Sequence, residues 1–145
     1  MVNNKNNDNS IFFDLVIYTP ADMFLSCKVK SVTVPSPVGS FQILINHTPI
    51  LVAIDAGTVT YIDEDSETHL LFVENGLVEV KNNIVVFTVV SAEKMEDIEI
   101  SHLELLVSEA NLALTHTNLK DITKINMNKK IDLIKQKIKA VQLLN

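Results

Sequence analysis

Up to Ser91 the apolar residues come in short β-branched runs broken by glycine, and after it they fall on a heptad. Phe13, Leu15 and Ile17 alternate with more polar neighbours, which predicts a strand over Phe12–Tyr18 with those three on one face. Met23–Val34 reads as a second strand or strand pair, and its apolar parity shifts between Val29 and Val32, predicting a bulge near Ser31. Pro35-Ser-Pro-Val-Gly39 breaks pairing and forms an exposed loop. Further strands are expected at Phe41–Ile45, Ile50–Ile54, Thr58–Ile62, Thr68–Val73, Leu77–Val80 and Ile84–Val90, with a turn at Asn46-His-Thr-Pro49. Gly39, Gly57 and Gly76 all fall at breaks, where positive φ is expected. Eight to ten short strands at this spacing predict a β-sandwich. Several strands, Ile84–Val90 among them, are apolar on both faces, so a second covering layer is expected, and the C-terminal helices are the obvious candidate.

Beyond Ser91, Ile100, Leu103, Val107, Ala110 and Leu114 step by three and four, as do Met127, Ile131, Ile134, Ile138 and Val141. Each set puts an apolar seam on one helix. Ser101 and Glu104 have the spacing of a capping box, and a helix start a few residues earlier, after Asp97, is the alternative. Thr115-His-Thr-Asn118 ends the first helix. Asn118 or Asp121 caps a second that runs to about Leu144, roughly 36 Å long. Residues 93–119 carry six acids and one lysine, a formal −5, while 120–145 carry seven lysines and two aspartates, a formal +5. Seam to seam, the two form an antiparallel hairpin of opposite charge. Helices with so few seam residues are marginal by themselves. The hairpin therefore needs the sandwich as a platform, and undocking should cost only a few kcal/mol, within reach of a partner. The expected division is a disordered polar stretch at 1–10, a β-sandwich at 11–92 and a two-helix domain at 93–145.

Composition changes the picture little. The chain has 145 residues, 47% of them hydrophobic, a net charge of −6 and a pI near 5.1, which argues against a nucleic-acid partner. All twelve basic residues are lysine, so bidentate arginine recognition of phosphate or carboxylate is impossible. The single Cys27 excludes an internal disulfide and reads as a small apolar side chain in a strand. The start carries no signal core or transit-type stretch, and no run reaches the ~18 apolar residues of a membrane span, so a soluble chain is expected.

Candidate chemistry is thin. His47, His69, His102 and His116 show no metal-ligand spacing among themselves or with Cys27. The cluster Asp63-Glu-Asp-Ser-Glu67 lacks the glycine of a calcium loop and reads as a solvated hairpin turn. No catalytic residue, metal or cofactor is expected. The stripe Lys129, Lys130, Lys135, Lys137 and Lys139 is either a solvated helix face or a surface for an acidic partner, and the sequence leaves both open.

At this point the residues resemble a family. Val32-Thr-Val-Pro35, the run Gly39-Ser-Phe-Gln-Ile-Leu-Ile-Asn-His-Thr-Pro-Ile-Leu51, Gly57-Thr-Val59, Glu74-Asn-Gly-Leu-Val-Glu-Val80 and Ser91-Ala-Glu-Lys-Met-Glu-Asp-Ile98 are similar, in order and spacing, to the epsilon subunit of F-type ATP synthase. The resemblance implies a ten-stranded sandwich at the foot of the rotary central stalk, peripheral on the cytoplasmic side of a bacterial inner membrane. It implies contact with the gamma subunit at His47, Thr48 and Pro49, and with the membrane rotor ring through the loop Pro37, Val38, Gly39 and Ser40. The subunit would help couple proton flow to ATP synthesis. Family helices lie folded on the sandwich or extend toward the alpha/beta catalytic head, where basic residues restrain ATP hydrolysis; Lys129, Lys130, Lys135, Lys137 and Lys139 suit that role.

The departures matter as much. Val38 and Ser40 stand where the family's loop usually carries glutamates, so a charged ring contact is not implied and a van der Waals contact is left open. Ile45-Asn46 replaces Pro-Gly before His47. Some members bind ATP through an Ile-Asp-x-x-Arg-Ala motif; here Ile98-Glu99-Ile100-Ser101-His102-Leu103 has Glu99 for the aspartate and His102 for the arginine, so weak or absent nucleotide binding is expected. Two other classes compete: a β-sandwich adaptor whose hairpin docks on another coiled coil and, more remotely, an enzyme using His47 with a nearby acid.

Overall fold

The computed structural model describes residues 10–115 and 118–144. The expectation of disorder at 1–10 lies almost wholly outside them, as does His116. Nine strands are described: β1 (Phe13–Tyr18), β2 (Met23–Val34), β3 (Phe41–Ile43), β4 (Ile50–Ile54), β5 (Gly57–Asp63), β6 (Thr68–Val73), β7 (Gly76–Lys81), β8 (Ile84–Val89) and β9 (Ala92–Lys94). A 3-10 turn at Met95–Asp97 leads into helices α1 (Ile100–Leu114) and α2 (Asp121–Gln142).

Hydrogen bonding runs in the order β4-β7-β8-β1-β2-β5-β6-β9, with β3 also on β2. The twelve-residue β2 turns this ribbon into two layers. Its first half pairs with β1, from Tyr18↔Met23 to Phe13↔Val29. Its second half pairs with β5 and β3. The register slips between Val29 and Ser31, where the parity shift predicts the bulge. A bulge bends its strand and increases its twist, and so carries β2 from one layer to the other. Leu15, Ile17, Val32, Ile43, Val59 and Phe87 have no exposed surface between the layers. Burial of each such side chain contributes about 1.5–3 kcal/mol of transfer free energy.

Two of the three glycines serve another purpose than the one expected. Gly39 alone takes positive φ, at 118°. Gly76 opens β7 against the end of β8, and a Cβ there would stand 2.1 Å from the Thr88 carbonyl oxygen. At Gly57 a Cβ would stand 2.9 Å from that of Pro35. Close approach, rather than a left-handed turn, excludes a side chain at both. The left-handed turns fall to asparagine and serine instead. Asn82 (φ 51°) and Asn83 (φ 58°) close a two-residue hairpin between β7 and β8, as a type I′ turn requires.

The helical seams are buried as their spacing predicts: Leu103, Ile131 and Val141 are buried, and Ile100, Val107, Ala110, Leu114, Met127, Ile134 and Ile138 are half-buried. The capping box does not form. Glu99 is the N-cap of α1, with no side-chain cap bond, and Ser101 already lies inside the helix. Lys120, not Asn118 or Asp121, is the N-cap of α2, while Asp121 in its first turn complements the helix dipole.

The helices form the covering layer expected over a doubly apolar strand, and it lies over Leu70–Val73, not over Ile84–Val90. Phe72, Met95, Ile98, Leu103 and Val141 form one cluster, with Ala56, Leu70, Leu133 and Ile138 packed on it. Leu71 and Val73 face the inner core while Phe72, between them, faces out under the helices. The run Leu70–Val73 is thus the strand buried on both sides. The outer side of β8 stays open, with Ile84 at 42% exposure. The sheet also continues through Lys94, so a boundary between 92 and 93 falls inside β9.

Candidate functional site

The titratable groups that stand out in the structure are held by local contacts. Asp63 ends β5 and folds the acidic turn on itself: its Oδ1 accepts from the Asp65 and Glu67 amides at 2.9 and 3.0 Å. Its Oδ2 lies 2.7 Å from His69 Nε2. These donors, His69 first, hold the Asp63 carboxyl below its ordinary pKa. The His69 ring stacks on Tyr61 with centroids 4.7 Å apart. Burial, above all, raises the Tyr61 phenol to about 12 and pushes the half-buried Cys27 thiol up as well. A thiol shifted that way is a poor nucleophile. Among the described residues no group of His, Cys, Asp and Glu is placed to hold a metal ion.

What the molecule offers instead is surface. The His47 turn is anchored by asparagine. Asn46 adopts φ 62°, its amide donates to Asn83 Oδ1 at 2.7 Å, and Asn83 Nδ2 donates back to Asn46 Oδ1 at 3.1 Å. Asparagine tolerates the left-handed region better than most residues, and the clasp fixes the turn to the β7–β8 hairpin. His47 Nδ1 donates to the Thr48 carbonyl at 2.7 Å, which orients the half-buried ring.

The Pro37–Ser40 loop stands out from the sandwich. Ser36 and Gly39 close it, with the Gly39 amide donating to the Ser36 carbonyl at 3.1 Å and the Ser36 hydroxyl donating to the Gly39 carbonyl. The closure leaves Val38 98% exposed at the tip.

The lysine stripe splits. Lys129, Lys130, Lys135 and Lys139 are exposed, but Lys137 turns inward to Glu93 of β9. Lys129 and Lys130 share a groove of about 580 Å³ with Asp55 and Glu74.

One surface was not anticipated. On the outer side of β4, β7, β8 and β1 the register aligns Leu51, Glu79, Val86 and Val16 in one row, and Ala53, Leu77, Thr88 and Tyr18 in the next. Leu51 is 68% exposed and Leu77 49%. A shallow groove of about 320 Å³, lined by Pro49, Leu51, Glu79 and Lys81, joins this face to the His47 turn. The sequence signal for it is the apolar residues on both faces of Ile84–Val90.

A family model for the ATP synthase delta/epsilon chain beta-sandwich domain matches residues 12–95. This chain belongs to the delta/epsilon family of ATP synthase. An ATP synthase epsilon chain of Desulfosudis oleivorans is 37% identical over 90 residues, covering 62% of this chain and 68% of that protein. One from Clostridium perfringens is 43% identical over 88 residues, covering 60% and 65%. Another from Desulfatibacillum aliphaticivorans is 32% identical over 100 residues, covering 69% and 71%. The chain thus aligns with about two-thirds of each relative's length.

Two solved structures share the fold at low identity. A chain of the Euglena gracilis mitochondrial ATP synthase superposes with TM-score 0.72 and 16% identity over 87% of this chain and 79% of that one. One from the Tetrahymena thermophila mitochondrial ATP synthase central stalk and c-ring gives TM-score 0.56 and 12% identity over 90% and 94%. For this delta/epsilon-family chain, the family match takes in the outer β face, the His47 turn and the Pro37–Ser40 loop. It ends at residue 95, before α1. No helix among the described residues is long and apolar enough to cross a membrane.

Proposed function

We propose that this chain is a non-catalytic subunit of the central stalk of an F-type ATP synthase, peripheral on the cytoplasmic side of a bacterial inner membrane, where it helps couple proton translocation to ATP synthesis. The observation that carries the reading is the family match across the whole sandwich, joined to an open apolar face on that same sandwich. The outer face of β4, β7, β8 and β1, with His47, Thr48 and Pro49 at its margin, seats the gamma subunit. Burying exposed leucines against a coiled coil supplies the affinity, at roughly 25 cal/mol per Å² of apolar surface. The loop Pro37, Val38, Gly39 and Ser40 meets the membrane rotor ring through the bare Val38 side chain, a contact that salt does not screen.

The helices regulate the assembly in this reading. Docked, they lie across β5 and β6; released, Lys129, Lys130, Lys135, Lys137 and Lys139 meet an acidic segment of the alpha/beta head and restrain ATP hydrolysis. With Glu99 and His102 in the degenerate motif, ATP does not set the position of the helices.

Co-purification from a gentle membrane extract tests the assignment. The intact chain is expected to bring down a gamma-like coiled-coil subunit, and Leu77→Lys to lose it; an unrelated coiled-coil partner would support the adaptor reading instead. ATPase assays on the assembled complex test the regulation. Truncation after Glu99, which keeps β9, is expected to raise hydrolysis. Unchanged hydrolysis removes the inhibitory role and leaves the stalk assignment in place.

A further inference from the structure

Lys137 is the member of the lysine stripe that solvent barely reaches. Its side chain is 15% exposed, and its Nζ donates to Glu93 Oε2 at 3.0 Å. The same ammonium lies 5.5 Å from the centroid of the Phe72 ring, which is itself 2% exposed. The seat belongs to the sheet. Phe72 on β6 and Glu93 on β9 are directly opposed partners, so their side chains project on the same side, toward α2. Two neighbouring strands therefore present an aromatic face and a carboxylate as one unit, and α2 docks by lowering a single cation onto it.

A cation so held is committed. An ammonium stripped of water on its aromatic side needs its carboxylate, because an unpaired charge against an apolar floor carries a large desolvation cost. Once the helix leaves the sheet, the ammonium is rehydrated. It then stands in phase with Lys130, seven residues earlier on the same side of α2.

We propose that Glu93 is an internal competitor for Lys137: it holds in the docked hairpin the ammonium that an acidic protein segment takes when the hairpin is released. The inference rests on the regulatory reading of the lysine stripe above and names the contact that sets its balance. One carboxylate, at the edge of a three-residue strand, stands in for the acidic partner and keeps the helices down. Lys137 depends on that carboxylate in one state and serves partner binding in the other. The remaining four lysines are solvated in the docked state and do not feed this competition.

The test uses the full chain alone at low ionic strength. Hydrogen exchange of the α1 and α2 amides reports release, and a synthetic octaglutamate peptide serves as the acidic probe. Glu93→Gln keeps the shape of the side chain and is expected to speed helix exchange about tenfold, in keeping with loss of a hydrogen bond to a charged group. The same variant should bind octaglutamate several-fold more tightly, with sandwich amides unchanged. Lys137→Met, whose unbranched side chain still covers Phe72, is expected to exchange no faster than the parent. In that background Glu93→Gln should add nothing, which a double-mutant cycle reads as coupling. Lys135→Gln serves as the exposed control and leaves exchange unchanged. Parental exchange or parental peptide affinity in Glu93→Gln overturns the proposal, as does an effect that persists in the double variant. Both readouts use the isolated chain, so failure here is separate from failure of the stalk assignment, which is read by co-purification.

Discussion

Between the two layers of the sheet, Leu15, Ile17, Val32, Ile43, Val59 and Phe87 are sealed from solvent on every side, whereas under the helices the cluster comes down to Phe72, Met95, Ile98, Leu103 and Val141, each still 2–8% exposed. The sandwich is knitted by long-range ladders, so its strands are expected to open together. Among the described residues the helices are joined to it by packing and by one ion pair, Lys137 to Glu93, with no shared backbone ladder past β9. Damage in the first region costs whatever the lost packing is worth. Damage in the second is capped by the free energy of undocking, because a released hairpin no longer feels the contact that was lost.

The sharpest way to expose that difference is a pair of matched truncations. Phe87→Ala is expected to destabilise the whole chain by about 3–5 kcal/mol, seen as a single lowered thermal transition. Phe72→Ala, equally buried, should cost the sandwich far less and speed exchange mainly in α1 and α2; a matching drop in the main transition breaks the comparison. Gly76→Ala comes next, since its Cβ meets the Thr88 carbonyl at 2.1 Å and backbone cannot yield as a side chain does. A loss of about 2–3 kcal/mol by denaturant titration is expected, typical of a single substitution with a specific steric cause. At Gly39 nothing lies within 4 Å, and only its φ of 118° opposes a side chain, so Gly39→Ala should cost about 1–3 kcal/mol as local strain.

The smallest effect is electrostatic and confined to the sandwich. The folded Asp63 carboxyl has its pKa lowered, first by His69 and then by the turn amides. Between the ordinary value near ~3.9 and the lower folded one, the unfolded chain binds more proton, so stability falls as pH drops through that window. Asp63→Asn should narrow the gap between pH 6 and pH 3 in a urea titration while leaving helix exchange alone. An unchanged gap removes the turn from the account.

How far these regions were legible follows from the same contrast. Strand and seam positions are fixed by local periodicity, and Phe13–Tyr18, Thr68–Val73 and both heptads fell close to where the pattern put them. The bulge at Ser31 was readable because one extra residue inverts the apolar parity. Tertiary choices were not. Which doubly apolar strand the helices cover depends on three-dimensional neighbours, and the local pattern does not separate Ile84–Val90 from Leu70–Val73. β9 is three residues with two charges, too short to alternate, and it pairs only because β6 offers an edge. Ser101 and Glu104 have the spacing of a cap but sit inside a helix that begins earlier, at Ile100. Lys137 is indistinguishable from its neighbours in sequence, and only the docked geometry separates it.

The claim underneath is that the helices leave the sandwich as a unit while the sandwich stays folded. Native-state hydrogen exchange on the intact chain at increasing, sub-denaturing urea tests it most directly. The α1 and α2 amides are expected to share one opening free energy well below that of β1, β2, β5 and β8, with a weaker urea dependence. Equal opening free energies and equal urea slopes for helices and strands would contradict it.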